Sequence, residues 1–286
     1  MRYASEKIGI QVDTGSGPPC SSRVDREAPE SARERKQIMR VSQCEAIVLA
    51  ARDFSEADKI VTFFTREHGK IGSIARNAKK SIKRFGGSLE VFAQLRLHIV
   101  LKETLSRLDS VDLITIFPHI REELVKIGYA GYACELVDRL LPEAQPNVRL
   151  YRLLASYLEY LDSAPAREDD RRFFEVNLLN ILGYRIPLES CSQCGVSLES
   201  VVELYYLPPT GEFFCSRCIR KGLKISPETL SLLALSMRTG RFGKIRFSGD
   251  TLREAGEILD STVASHLNNP LCSLAFLREM SLVEGR

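Results

Sequence analysis

Two cysteine pairs, Cys191-Ser192-Gln193-Cys194-Gly195 and Cys215-Ser216-Arg217-Cys218, are the residues whose type and spacing most plainly imply chemistry. A CxxC turn lets two thiolates point at one ion while backbone amides stabilise the sulfur charge, and two such knuckles complete a tetrahedron. Between them, strand-like stretches at 201–207 and 212–214 flank Pro208-Pro209-Thr210-Gly211, a turn signal that returns the second knuckle to the first. The expected ligand set is therefore Cys191, Cys194, Cys215 and Cys218, holding one structural Zn2+. Four protein ligands leave no open position for water, so this metal is expected to fold the chain and not to catalyse. The alternative is a pair of redox dithiols or incidental thiols; spacing and hairpin favour the metal. Cys20, Cys44, Cys134 and Cys272 are scattered and read as buried or inert thiols.

A second constellation is cationic. From Arg66 to Arg84 the chain carries seven basic residues against the single carboxylate of Glu67, whereas the rest of the chain is slightly acidic and the whole has a net charge of only +3. The loop-like run Arg76-Asn77-Ala78-Lys79-Lys80-Ser81-Ile82-Lys83-Arg84 follows a strand-like stretch. Lysines and arginines clustered in a loop displace counterions from a nucleic-acid backbone; a solvated charge run is the competing reading. The candidate nucleic-acid contacts are Lys70, Arg76, Lys79, Lys80, Lys83 and Arg84. Phe54, Phe85 and Phe92 lie nearby, and aromatic rings in a small barrel more often fill its core than stack on bases, so all three are assigned to the core.

Enzyme signatures are missing. Gly69-Lys70 and Gly243-Lys244 lack the earlier glycine and the following Ser/Thr of a phosphate loop, and neither HExxH nor an HxE paired with PCxxC occurs. His68, His98, His119 and His266 are isolated, and the adjacent acids Glu122-Glu123 and Asp169-Asp170 fall where helices should begin, complementing their dipoles. No catalytic residues are assigned.

The elements that must position these groups follow from periodicity. Alternating side chains predict strands at 46–50, 59–65, 71–75, 95–101 and 108–116, and five short strands in some seventy residues suit a small closed barrel of the OB-fold type. After Pro118 the period lengthens to that of a helix. Leu124, Ile127, Ala130, Cys134, Val137 and Leu141 share one face; Leu150, Leu154, Tyr157, Leu158 and Leu161 form a second; Phe173, Phe174, Leu178, Leu179 and Leu182 form a third, which Gly183 ends. Ser226-Pro227 opens another helix as N-cap and first turn, and two more follow at 251–267 and 270–282.

Residues 1–38 hold Gly15-Ser16-Gly17-Pro18-Pro19 and alternating charges without apolar periodicity, so a disordered extension is expected there, with Met39 as a candidate translation start. The expected architecture is α+β and multidomain: an OB-fold β-barrel over 39–117, a helical bundle domain over 118–187 continued at 223–286, and an inserted four-cysteine zinc module at 188–222. No secretion signal and no apolar run of about 18 residues is present, which points to a cytoplasmic protein away from the membrane.

Several motifs are also familiar in their order. Glu45-Ala46-Ile47-Val48-Leu49, then Phe54-Ser55-Glu56-Ala57-Asp58-Lys59-Ile60-Val61, then Thr65 with His68-Gly69-Lys70, resemble the N-terminal barrel of the RecO family. Leu178-Leu179 with Leu182-Gly183-Tyr184 and Pro187, leading into Cys191 and Cys194-Gly195, resembles that family's approach to its zinc module. The resemblance covers roughly residues 39 to 282. It implies binding of single- and double-stranded DNA, annealing of complementary strands, and partnership with RecR and single-stranded DNA-binding protein to load RecA in DNA repair, in a nucleoid-associated setting and without enzymatic activity. Some members of the family lack the cysteines, as suits a structural metal. The rival reading is an RNA-binding or transcription-associated zinc-ribbon protein, which competition between DNA and RNA separates.

Overall fold

In this computed structural model the described residues are 41–102 and 104–284, with side chains described as far as 280. The expected extension over 1–38, the Met39 start and Cys20 lie outside them.

Alternation of inward and outward side chains builds the barrel. Strands β1 (Val41–Asp53), β2 (Lys59–Thr65), β3 (Gly69–Ala75), β4 (Gln94–Val100) and β5 (Ser106–Thr115) close in the order β1-β2-β3-β5-β4. The expected strand at 46–50 is thus much longer. β1 serves two neighbours, pairing Val41 with Val100 and Ile47 with Gln94 on β4, then Ala46 with Thr65 and Asp53 with Lys59 on β2. A register shift after Val48 supplies the bend this double duty requires. Closure comes from a short parallel pairing of β3 with β5, Ser73 opposite Ser106 and Ala75 opposite Leu108. It satisfies ladder groups that an open sheet would expose.

Along β3 buried and half-buried residues alternate without exception, so Ile71 and Ala75 join Val48, Val61, Phe63, Leu95, Leu97, Ile99 and Leu108 inside. Phe85, from the short helix α1 (Ile82–Phe85) within the cationic segment, belongs to the same core. The segment expected to be a plain loop is therefore anchored by an aromatic plug.

The outward side chains Ile47, Leu49 and Phe64 belong to a second core, shared with α2 (Leu124–Leu140), α3 (Val148–Ser163), α4 (Glu168–Leu182), α5 (Pro227–Arg238), α6 (Gly249–Ser265) and α7 (Cys272–Glu284). Barrel and helices meet closely at Gly69, which has φ +72°, and a Cβ there would lie 2.2 Å from the Gln145 carbonyl oxygen. Only glycine fits. Helix boundaries follow local chemistry: the Ser226 hydroxyl accepts from the Thr229 amide, and Gly183 ends α4 in the left-handed region.

The inserted hairpin is β6 (Leu204–Leu207) and β7 (Glu212–Cys215), and β8 (Leu223–Ile225), unforeseen from the sequence, completes a sheet in the order β7-β6-β8. Leu204, Tyr206 and Phe213 from this sheet lie in the helical core, where the Tyr206 hydroxyl donates to the Ile258 carbonyl at 3.4 Å. The molecule is thus a mixed α/β protein. Among the described residues no helix is long and apolar enough to cross a membrane.

Candidate functional site

The two knuckles meet as their spacing requires. The Sγ atoms of Cys191, Cys194, Cys215 and Cys218 all lie within 4.8 Å of one another, and Cys194 Sγ is 3.7 Å from Cys215 Sγ. With metal–sulfur bonds of about 2.3 Å, a tetrahedron has edges of about 3.8 Å, so the cluster is the right size for one ion and far too open for a disulfide. Backbone geometry prepares it. The Gly195 amide donates to the Cys191 carbonyl at 2.9 Å and the Cys218 amide to the Cys215 carbonyl at 3.0 Å, while Gly195 turns the first knuckle at φ +71°. Burial resists ionisation of Cys191, yet amides of Cys194, Cys215 and Gln193 aimed at its sulfur bring the thiol down to about 6. Cys218 moves the other way, to about 12, because it holds the proton shared with Cys194 and its neighbours. Four thiols this close cannot all ionise without a cation between them, so the cluster could hold a metal ion. Of the remaining cysteines, Cys44 and Cys134 are buried, and desolvation pushes both thiols up to about 12. Cys272 is exposed at the start of α7.

The cationic segment is fixed at the barrel mouth by the turn between β1 and β2, a partnership that sequence periodicity does not signal. The Lys79 amide donates to the Ala57 carbonyl at 3.1 Å and the Asn77 amide to Asp58 Oδ1 at 2.8 Å. Lys79 Nζ pairs with Asp53 at 2.8 Å and donates to the Ser55 carbonyl at 3.1 Å. The hydrogen bond from Lys79, aided by the charges of Lys79 and Lys59, holds the exposed Asp53 carboxyl below its ordinary range. Arg84 donates to the Arg76 carbonyl and to Ser81 Oγ and lies over the Phe85 ring. Its guanidinium braces the loop. Among the described residues, no carboxylate pairs with Arg76, Lys80 or Lys83.

Lys70 stands apart from the other five cations. Its side chain is only 13% exposed, with Nζ 3.5 Å from the Asp138 carboxylate and bonded to the Asp138 carbonyl on α2. Its charge is engaged between barrel and helices. The aromatic residues divide as well: Phe85 and Phe92 are buried as expected, at 2% and 5%, but Phe54 is 61% exposed on the β1–β2 turn. The core assignment fails for Phe54 because β1 ends at Asp53, leaving the ring beyond the last inward position.

The isolated histidines have ordinary partners: His98 with Asp112 at 2.9 Å, His119 with Asp162 at 3.2 Å, and His266 stacked on Tyr184 at 3.9 Å between ring centres.

A closed barrel with a cationic mouth, joined to a helical body that carries a four-thiol cluster able to hold a metal ion, defines a mixed α/β protein. Residues 39–117 match the family model "Recombination protein O N terminal" and residues 121–275 match "Recombination protein O C terminal". The chain is 51% identical over 239 residues to the DNA repair protein RecO of Geobacter sulfurreducens, a match covering 84% of this chain and 98% of that protein. It is 50% identical over 242 residues to the DNA repair protein RecO of Geobacter metallireducens, covering 85% and 99%, and 33% identical over 247 residues to that of Symbiobacterium thermophilum, covering 84% and 97%. The chain belongs to the RecO family of DNA repair proteins.

Proposed function

We propose that this protein is a non-enzymatic recombination mediator that binds DNA at the barrel mouth and lets complementary strands anneal. In this reading the barrel is an OB-fold, an assignment supported by its β1-β2-β3-β5-β4 order and its parallel β3–β5 closure. Residues 39–117 form the nucleic-acid-binding domain, 118–187 and 223–286 the helical domain, and 188–222 a module held by one Zn2+ on Cys191, Cys194, Cys215 and Cys218. The metal supplies cross-linking of the two knuckles; the chain's own cations meet the phosphates.

The observation that carries the reading is the stapled loop on which, among the described residues, Arg76, Lys80 and Lys83 have no carboxylate partner, beside the half-buried end of the β2–β3 face. On that face Ile60 opposes Ile74 and Thr62 opposes Gly72, all half-buried, whereas Phe64 and Lys70 farther along are covered by helices. Cations on a loop already fixed to the barrel neutralise phosphate without ordering the loop at the moment of binding. Neutralisation by such a rim also lowers the repulsion between two strands that must approach. Family resemblance extends the proposal to RecR and single-stranded DNA-binding protein as partners, to indirect loading of RecA, and to a cytoplasmic, nucleoid-associated place of action.

The test is a variant with Arg76, Lys80 and Lys83 replaced by alanine, which leaves the braces Lys79 and Arg84 in place. Its affinity for single-stranded DNA should fall, and the log–log salt slope should become shallower by about 0.7 for each phosphate no longer neutralised. Annealing of DNA coated with single-stranded DNA-binding protein should fall in parallel. Unchanged affinity and slope in a folded variant would remove the basis of the reading.

A further inference from the structure

The exposed ring of Phe54 asks for an explanation. It is 61% exposed although its turn is among the more tightly bonded parts of the barrel mouth. The Phe54 amide donates to the Asp58 carbonyl at 3.1 Å, and the Asp58 and Ala57 amides donate to Ser55 Oγ at 3.0 and 3.3 Å. From outside the turn, Lys79 clamps Asp53 and the Ser55 carbonyl, the residues on either side of the ring. The backbone that carries Phe54 is thus closed by hydrogen bonds before and after it, while the ring lies outside the barrel core formed by the described residues and faces water. No ring contact involves Phe54 among the described residues. Scattered apolar residues on a surface need no special reason, but this one is a large flat ring, on a braced turn, tied directly to the segment that bears the available cations.

We propose that Phe54 is a stacking platform for an unpaired base of single-stranded DNA, whose flanking phosphates meet Lys80, Lys83 and Arg76. This rests on the DNA-binding reading above and adds to it which strand form the mouth selects. Every base offers a π-face, so stacking on a fixed ring is indifferent to sequence but requires the base to be out of a duplex. The cations alone make no such distinction, because phosphates are present in both forms. Phe54 therefore sets the preference for single strands, and the loop cations set the overall affinity. Bracing matters because, with the backbone of the turn already fixed, only the side-chain torsions of Phe54 remain to be ordered when a base lands on its ring.

The chain contains no tryptophan, so Phe54→Trp installs a single fluorescent reporter at the proposed contact. Oligothymidylate should quench its emission along the same curve that fluorescence anisotropy of a labelled oligonucleotide follows. Phe54→Ala should weaken single-strand binding about tenfold, within the range seen for removal of one stacked base, and leave the salt slope unchanged because every phosphate-binding cation is still present. Phe54→Tyr should restore most of the affinity, and duplex binding should be indifferent to all three variants. Binding by anisotropy without quenching of the tryptophan, or an alanine variant as tight as the parent, overturns the stacking role while leaving the cationic mouth intact. If the parent chain binds no oligonucleotide under any salt condition, the DNA-binding reading falls and this proposal falls with it.

Discussion

Arginines serve opposite ends in two parts of this molecule. At the barrel mouth Arg76 has no carboxylate partner among the described residues, and Arg84 spends its donors on the Arg76 carbonyl and Ser81. On α4, Arg171 and Arg172 are buried and both reach Glu175, itself fully buried, at 2.9 Å; Arg172 also meets Asp260 at 2.6 Å, and Arg171 meets Glu168 at 2.7 Å. Burial works against both charges more than any one neighbour favours them, but Glu175 together with Glu168 and, for Arg172, Asp260 tips the balance and holds the guanidiniums protonated well above their ordinary range. Room for this network is made on α6, where a Cβ at Gly256 would come within 2.8 Å of Arg172 Nη2. The same side chain is thus a tie inside the helical body and an available charge at the mouth. What differs is whether a carboxylate is placed to meet it where water is excluded.

Experiments that strain this contrast differ in size. The largest effect should come from the four-thiol centre, since structural zinc contributes about 10–16 kcal/mol of apparent binding energy to modules of this kind. Chelation or Cys194→Ser should abolish metal content by elemental analysis and open the 191–222 segment to protease, while the salt slope of DNA binding at the barrel mouth stays as it was. Next, Glu175→Ala should cost about 3–5 kcal/mol in denaturant unfolding, because two buried guanidiniums lose the fully buried one of the two carboxylates they share, the other being the more exposed Glu168. A cost near zero would mean that water reaches the pair.

A sharper comparison sets two lysines of the cationic window against each other. Lys80→Ala should make the single-strand salt slope shallower by about 0.7 and leave stability nearly unchanged. Lys70→Ala should do the reverse, costing about 1 kcal/mol of stability through removal of its ties to Asp138, with little change in slope. Equal slopes for both variants would place Lys70 in the interface after all. The smallest effect concerns Glu135, whose carboxylate accepts from the Cys272 and Ser273 amides at the start of α7. Burial would raise its pKa, but the Ser273 and Cys272 hydrogen bonds prevail and hold it below its ordinary range. A depressed carboxyl contributes its stabilisation fully above the unfolded value and loses it as pH falls through the folded one. The protection factors of the α7 amides, measured against intrinsic exchange at each pH, should therefore fall in the parent chain as pH drops below the ordinary glutamate value of about 4.3, and Glu135→Gln should flatten that dependence.

The knuckles, the hairpin between them, the strands and the helix ends were legible because each depends on residues close in sequence. A CxxC turn, Pro208-Pro209-Thr210-Gly211, Ser226 before Pro227 and Gly183 after Leu182 state their geometry within a few positions. Asp169 and Asp170 show where that reach ends. Their place at the start of α4 suits the helix dipole, yet they also accept from the Phe247 and Gly243 amides more than seventy residues away. Phe85 entered the barrel and Phe54 stayed outside although both sit in similar polar surroundings in the sequence.

The sequence by itself determined the periodicities, the ligand spacing and the surplus of cations between Arg66 and Arg84. Only the tertiary structure decided which of those cations remained available: Asp138 on α2 took Lys70, the β1–β2 turn took Lys79, and Arg76, Lys80 and Lys83 were left to solvent. The physical reason is that side-chain type and local spacing set a charge and a conformational preference, whereas partner and desolvation come from segments brought together by closure of the barrel and packing of the helices.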